Sequence, residues 1–123
     1  MAYTDTFLAD ANYPAGTVVV YGGANEVTTS SLFGDTSVAG VIASSAGTQA
    51  TVVLKGRTTI MVMGPVNQGD LLVVADNSGL AKSLQTYNTL ALSFTIDMAN
   101  SVFAKSLVTD AGTGARMIPA VVL

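Results

Sequence analysis

The side chains able to do chemistry in this sequence are few. It has no His and no Cys, five cations and eight carboxylates. Without His, a Ser-His-Asp triad and His-ligated metal sites are absent by composition. Without Cys, thiolate catalysis, Cys-ligated zinc and disulfides go too. A Ser-Lys nucleophile remains formally available. Its nearest candidates are Lys82 with Ser83 and Lys105 with Ser106. Each pair is adjacent in sequence, and adjacent side chains in a strand point to opposite faces. Neither pair should therefore converge. Asp35, Asp70, Asp76 and Asp110 sit in turn-like stretches, where Asp most often accepts local backbone N–H groups. No stretch follows the calcium-loop pattern of alternating oxygen ligands ending in Glu. Carboxylates far apart in sequence can still meet in a fold. Gly112-Thr113-Gly114 lacks the further Gly, the Lys and the following helix of a phosphate loop. The expectation is a chain that is not an enzyme, with no catalytic residue, cofactor or metal.

The balance of the composition points to contact instead. Half the residues are hydrophobic and 11% are charged, against about 25% in typical soluble domains. A domain this small has much surface, so much of it must be uncharged. Large uncharged surfaces tend to mark contact sites. The cations Lys55, Arg57, Lys82, Lys105 and Arg116 are scattered and the net charge is −3. Nucleic-acid binding, which needs clustered Lys and Arg, is not expected. The N-terminal stretch lacks the basic and apolar regions of a signal peptide. No apolar run approaches the roughly 20 residues of a membrane helix, and no membrane partner is expected.

The elements that would carry these residues are strands. Thr51–Ala75 organises the chain. Val52, Leu54, Thr58, Ile60 and Val62 alternate with Val53, Lys55, Arg57, Thr59, Met61 and Met63, as in a half-buried strand. The second of these faces begins cationic and ends in two methionines. Around this strand, TVVVY at 17–21, VAGVIA at 38–43, LLVVA at 71–75, LAKSL at 80–84, VFAKSLVT at 102–109 and RMIPAVVL at 116–123 read as further strands. Gly40 suits a bulge or a close backbone approach. Pro119 predicts an edge strand or an outward-facing Pro. Leu90, Leu92, Phe94 and Ile96 alternate as in a strand, followed by a loop or one helical turn at 97–100. Short strands with Gly-rich turns predict an all-β fold, a compact β-barrel or β-sandwich of short antiparallel strands. Residues 1–16 read as an extended N-terminal arm and 17–123 as the β-barrel or sandwich domain. Tyr3, Phe7, Leu8 and Tyr13 of the arm are large apolar side chains with little sequence around them to form a core. They are candidates for contact with a neighbour. Met61 and Met63 are candidates for a subunit interface.

Several segments resemble the head decoration, or cement, proteins of tailed-phage capsids. They are Pro14–Val20, Val38–Ala43, the long strand through Lys55-Gly56-Arg57, and Val102–Leu107 with Ile118–Leu123. Gly64–Leu72, with the pattern G-P-V-x-x-G-D-L-L, is also similar to β-modules of phage fibre and tail-associated proteins. The resemblance implies a virion structural protein on the capsid surface. It implies a homotrimer that binds the major capsid protein and stabilises contacts between capsid subunits. The alternative is a fibre or tail module that binds a host glycan, for which Tyr21 and Tyr87 are the candidate aromatics.

Overall fold

The computed structural model describes residues 2–84 and 101–123. The expected strand at 90–96, the loop or turn at 97–100, and Tyr87 lie outside the described residues. The described residues form nine strands: β1 (Tyr3–Ala9), β2 (Val18–Gly23), β3 (Glu26–Thr28), β4 (Val38–Ala46), β5 (Gln49–Val62), β6 (Leu71–Val74), β7 (Ala81–Ser83), β8 (Ala104–Ser106) and β9 (Arg116–Val122). Among the described residues the fold is all-β, and it is a barrel rather than a sandwich. Strands β1, β3, β2, β4 and β5 pair in a ring that closes through β1 and β5. Closure removes the unpaired strand edges that an open sheet would expose. The second half of β5 enters another ring with β9, β8, β6 and β7. That ring closes at the single pair Val62↔Ala81. Most pairings are antiparallel, as expected, but β1–β3 and β5–β7 are parallel.

One strand can serve two rings because it is long and because it bends. β5 has 14 residues. Tyr3 pairs with Lys55 and Thr4 with Val53, which leaves Leu54 bulged. Gly56 follows with φ at +110°, a conformation that only Gly adopts without strain. The bulge re-aims the strand. Before it, Val52 faces a core with Val19, Val27, Ile42 and Ala50, while Val53 joins Val18, Val20 and Val41 in the other core. After it, Ile60 and Val62 face that second core. The simple two-face alternation expected across the whole strand is thus broken at Leu54–Gly56.

The two cores explain why the short strands are apolar on both faces. The smaller core takes Ala9, Val19, Val27, Ile42 and Ala50 from the five strands of the first ring. The larger core fills the second ring with Ile60, Leu72, Val74, Ala81, Ala104, Ile118 and Ala120. It also takes Val18, Val20, Val41 and Val53 from the outer wall of the first ring, which welds the rings together. Gly40 makes this possible. A Cβ there would lie 2.1 Å from the Val53 carbonyl oxygen, so β4 approaches β5 more closely than any side chain permits.

Within the stretch read as an arm, Tyr3–Ala9 is extended and runs as β1 of its own chain's barrel, paired with β5 and β3. Ala9 is buried, and Phe7 and Tyr13 pack against the smaller core. β9 is flanked by β5 and β8 on both sides, so it is not an edge strand. Pro119 is tolerated because it stands opposite Leu107, just past the end of β8. Its carbonyl accepts the Leu107 N–H at 3.1 Å, and its missing donor stops the ladder there.

Candidate functional site

The residues that could do chemistry are held apart or used up. Lys82 and Ser83 are both buried on β7. The Lys82 Nζ donates to Asp76 Oδ1 at 2.7 Å, and the Ser83 hydroxyl donates to Asp70 Oδ2 at 2.7 Å. The two side chains diverge, as their adjacency in a strand requires. Lys105 is exposed, while the Ser106 hydroxyl is turned back onto the Val108 carbonyl at 2.7 Å.

The turn carboxylates lock loops. Asp70 Oδ2 also accepts the Asn67 N–H at 2.9 Å, and the Asp70 carbonyl accepts the Ser106 N–H. The G-P-V-x-x-G-D-L-L segment therefore ties β6, β7 and β8 together. Asp35 accepts the Ser37 N–H and the Ser30 hydroxyl, which together hold its carboxyl below the usual range. Asp110 accepts the Gly112 N–H, with Arg116 beside it, and is lowered for those reasons. Lys82 lowers Asp76. Arg116 ties three loop positions together, donating to the carbonyls of Gly64, Asp110 and Gly114. Among the described residues, no three acidic side chains gather where they could hold a metal ion.

Large apolar side chains also stand on the outside. Tyr3 is 68% exposed and Leu8 52%. Phe7 and Tyr13 are half-buried. The four arm residues thus divide into two that face solvent and two that pack. Phe7 meets Tyr21 edge-on, with ring centroids 6.1 Å apart, a favourable aromatic geometry. Tyr21 is itself 52% exposed. The Tyr13 hydroxyl donates to Asp10, and Thr28 donates to the other Asp10 oxygen at 2.9 Å. These bonds, the Tyr13 one first, hold Asp10 below the ordinary carboxylate range. Leu8 stands between two open grooves. Asp5, Phe7 and Gln49 are among the residues lining one, and Asp10, Glu26 and Thr28 among those lining the other.

Met61 and Met63 are half-buried. Met61 pairs across strands with Met117, which covers Gly16 and is 42% exposed. Met117 was not singled out by sequence pattern. Its register opposite Met61 could be read only once β9 was placed. The exposed Leu32 and Leu123 were likewise missed. Tyr3 pairs with Lys55, and Val122 pairs with the next residue, Gly56. The first and last strands therefore end at neighbouring residues of β5, and Tyr3 and Leu123 are exposed.

No protein-family model matches the chain. No curated protein matches it either. Among solved structures, the fold is similar to the crystal structure of the head fiber gp8.5 N base of bacteriophage phi29. The TM-score is 0.58 and the identity 15%, over 100% of this chain and 95% of that one. At that identity the likeness is one of fold, and it spans the whole chain.

Proposed function

We propose that this chain is a virion structural protein of a tailed phage. In this reading it is a head decoration or cement protein: a homotrimer on the capsid surface that binds the major capsid protein and stabilises contacts between capsid subunits. The observation that carries the reading is the likeness of the whole chain to the base of a phage head fiber. Two features of the chain agree with it. The reactive side chains are spent on turns and ion pairs, and large apolar side chains stand in solvent. Tyr3, Phe7, Leu8 and Tyr13 form the contact set for the capsid or a neighbouring subunit, and Met61 and Met63 belong to a subunit interface. Tyr3 and Leu123 beside Lys55 offer an exposed apolar spot for the capsid side.

The test is cosedimentation of the purified protein with capsids that lack it. The protein should travel with the shells, and Tyr3→Asp should weaken its binding about tenfold, the loss typical of an aromatic anchor. Full-strength capsid binding by the Tyr3→Asp variant would remove Tyr3 from the contact. Absence of wild-type binding would remove the decoration role.

A second reading rests on Tyr21, an exposed ring braced by Phe7. It makes the chain a fibre or tail module that stacks on a host glycan. Binding to a glycan array without capsid association would favour it.

A further inference from the structure

The ion pairs of the chain use only part of its charge. Two of its cations are spent internally, Lys82 on Asp76 and Arg116 on Asp110. Among the described residues, Lys55, Arg57 and Lys105 make no ion pair. Arg57 and Lys105 stand in one row. Val121 of β9 is in register with Arg57 of β5 on one side and with Lys105 of β8 on the other. The two cations are therefore two strands apart, about 10 Å, with a half-buried Val between them. Half-buried Pro119 and exposed Met117 follow along the same strand. This outer wall of the second ring is apolar and positive, and among the described residues the register rows that cross it carry no carboxylate.

One corner of the first ring has the opposite character. Leu8 pairs with Glu26 in the parallel β1–β3 ladder, and Asp10 lines the same groove as both. This corner presents an exposed Leu with two carboxylates beside it. Among the described residues, no ion pair joins the corner to the cationic row.

We propose that the Arg57–Val121–Lys105 row of one copy docks against the Leu8–Asp10–Glu26 corner of a second copy. Each surface has an apolar centre flanked by charge, and the signs are opposite. The two surfaces lie on different rings, so the contact is head-to-tail and closes into a cyclic oligomer when the rotation permits. A stable contact of this kind buries about 800 Å² per partner, a modest share of the chain's 6272 Å². The apolar centres supply affinity, and the charges steer encounter and fix register. The proposal rests on the homotrimer part of the function read above. It uses Leu8 for a neighbouring copy and leaves Tyr3 to the capsid.

The experiment contains no capsids, so its outcome is separate from that of capsid binding. Native mass is measured by light scattering at concentrations up to the order of 100 µM, a range that reveals even weak association. The wild type should be oligomeric, and the double variant Arg57→Glu/Lys105→Glu should dissociate at concentrations about tenfold higher or more. Glu26→Lys should do the same. Glu26→Lys combined with either Arg57→Glu or Lys105→Glu should recover association in at least one case. These positions are exposed, so circular dichroism and the melting point of the dissociated chain should stay near wild type. Raising the salt from low to about 1 M, where the Debye length is about 3 Å, should also weaken the wild-type oligomer. A monomeric wild type, an oligomer indifferent to these reversals, or the absence of recovery in both combinations would overturn the proposal.

Discussion

Single residues decide how closely the strands of this protein can pack. Gly40 is the sharpest case, because a Cβ there meets the Val53 carbonyl at 2.1 Å and a Val52 methyl at 2.9 Å. Both belong to β5, which is held in both rings and cannot yield locally. Gly40→Ala should destabilise by about 1–3 kcal/mol, the usual cost of overpacking, and lower the melting temperature by several degrees. Gly22→Ala is the control. Gly22 is exposed, and the nearest atom to its Cβ would be a Thr28 methyl at 3.4 Å. That change should be near neutral or slightly stabilising. Equal melting points for the two variants would contradict the close approach. The carboxylates give a second prediction at this scale. Asp10, Asp35, Asp76 and Asp110 all have lowered folded-state pKa values. A lowered carboxylate contributes stability that is present above its unfolded value, about 3.9, and is lost as pH falls through the folded one. With no His in the chain, the melting temperature should be flat from about pH 5 to 8. It should fall below about pH 4, and Asp35→Asn should reduce that fall. A transition near neutral pH would contradict it.

At the scale of elements, the stretch read as an arm from sequence is a stave of the barrel. β1 supplies the pairing that closes the first ring against both β5 and β3. Deleting residues 1–13 should therefore expose the β5 edge and the smaller core, and abolish cooperative unfolding as followed by circular dichroism. A truncated chain that still melts cooperatively would show that β1 is dispensable. The distinction matters for function. Tyr3 and Leu8 project from a fixed strand, so the proposed contacts would form without the ordering cost that a loose arm incurs. The same scale shows what the bulge at Leu54 and the kink at Gly56 accomplish. They let one continuous strand serve two cores, so the two rings cannot swing independently.

At the scale of the whole molecule, the chain closes its own core and still leaves contact surface. Its 6272 Å² of accessible area is close to the roughly 6200 Å² expected for a folded chain of its mass. Its exposed apolar side chains and its separated charges are then free to serve assembly. The two assembly predictions, capsid cosedimentation disturbed at Tyr3 and self-association disturbed at Arg57, Lys105 and Glu26, use different residues and can fail independently.

The strand content was legible because it follows from local pattern. β-branched runs between Gly-rich turns marked β2, β4, β5, β6 and β9 nearly to their ends, and the absence of His and Cys removed whole classes of chemistry by composition alone. The roles of the turn aspartates and the divergence of the Ser-Lys pairs were also readable, since both follow from neighbours in sequence. The reading of a strand at 102–109 overran β8, Ala104–Ser106, because so short a strand is bounded by its partners rather than by its own propensity. What the sequence left open depends on pairings between distant residues. These include the closure of β1 onto β5, the sharing of β5 between two rings, and the place of Pro119 in a strand flanked on both sides. Met61 meets Met117, and Arg57 lines up with Lys105, only because β9 lies between β5 and β8 in one particular register. A shift of one residue would send all of those side chains to the other face. The stretch from Thr51 to Ala75 carried the alternation in its sequence. The tertiary fold decided where that alternation reverses, because a bulge is set by the partner strand as much as by the residues in it.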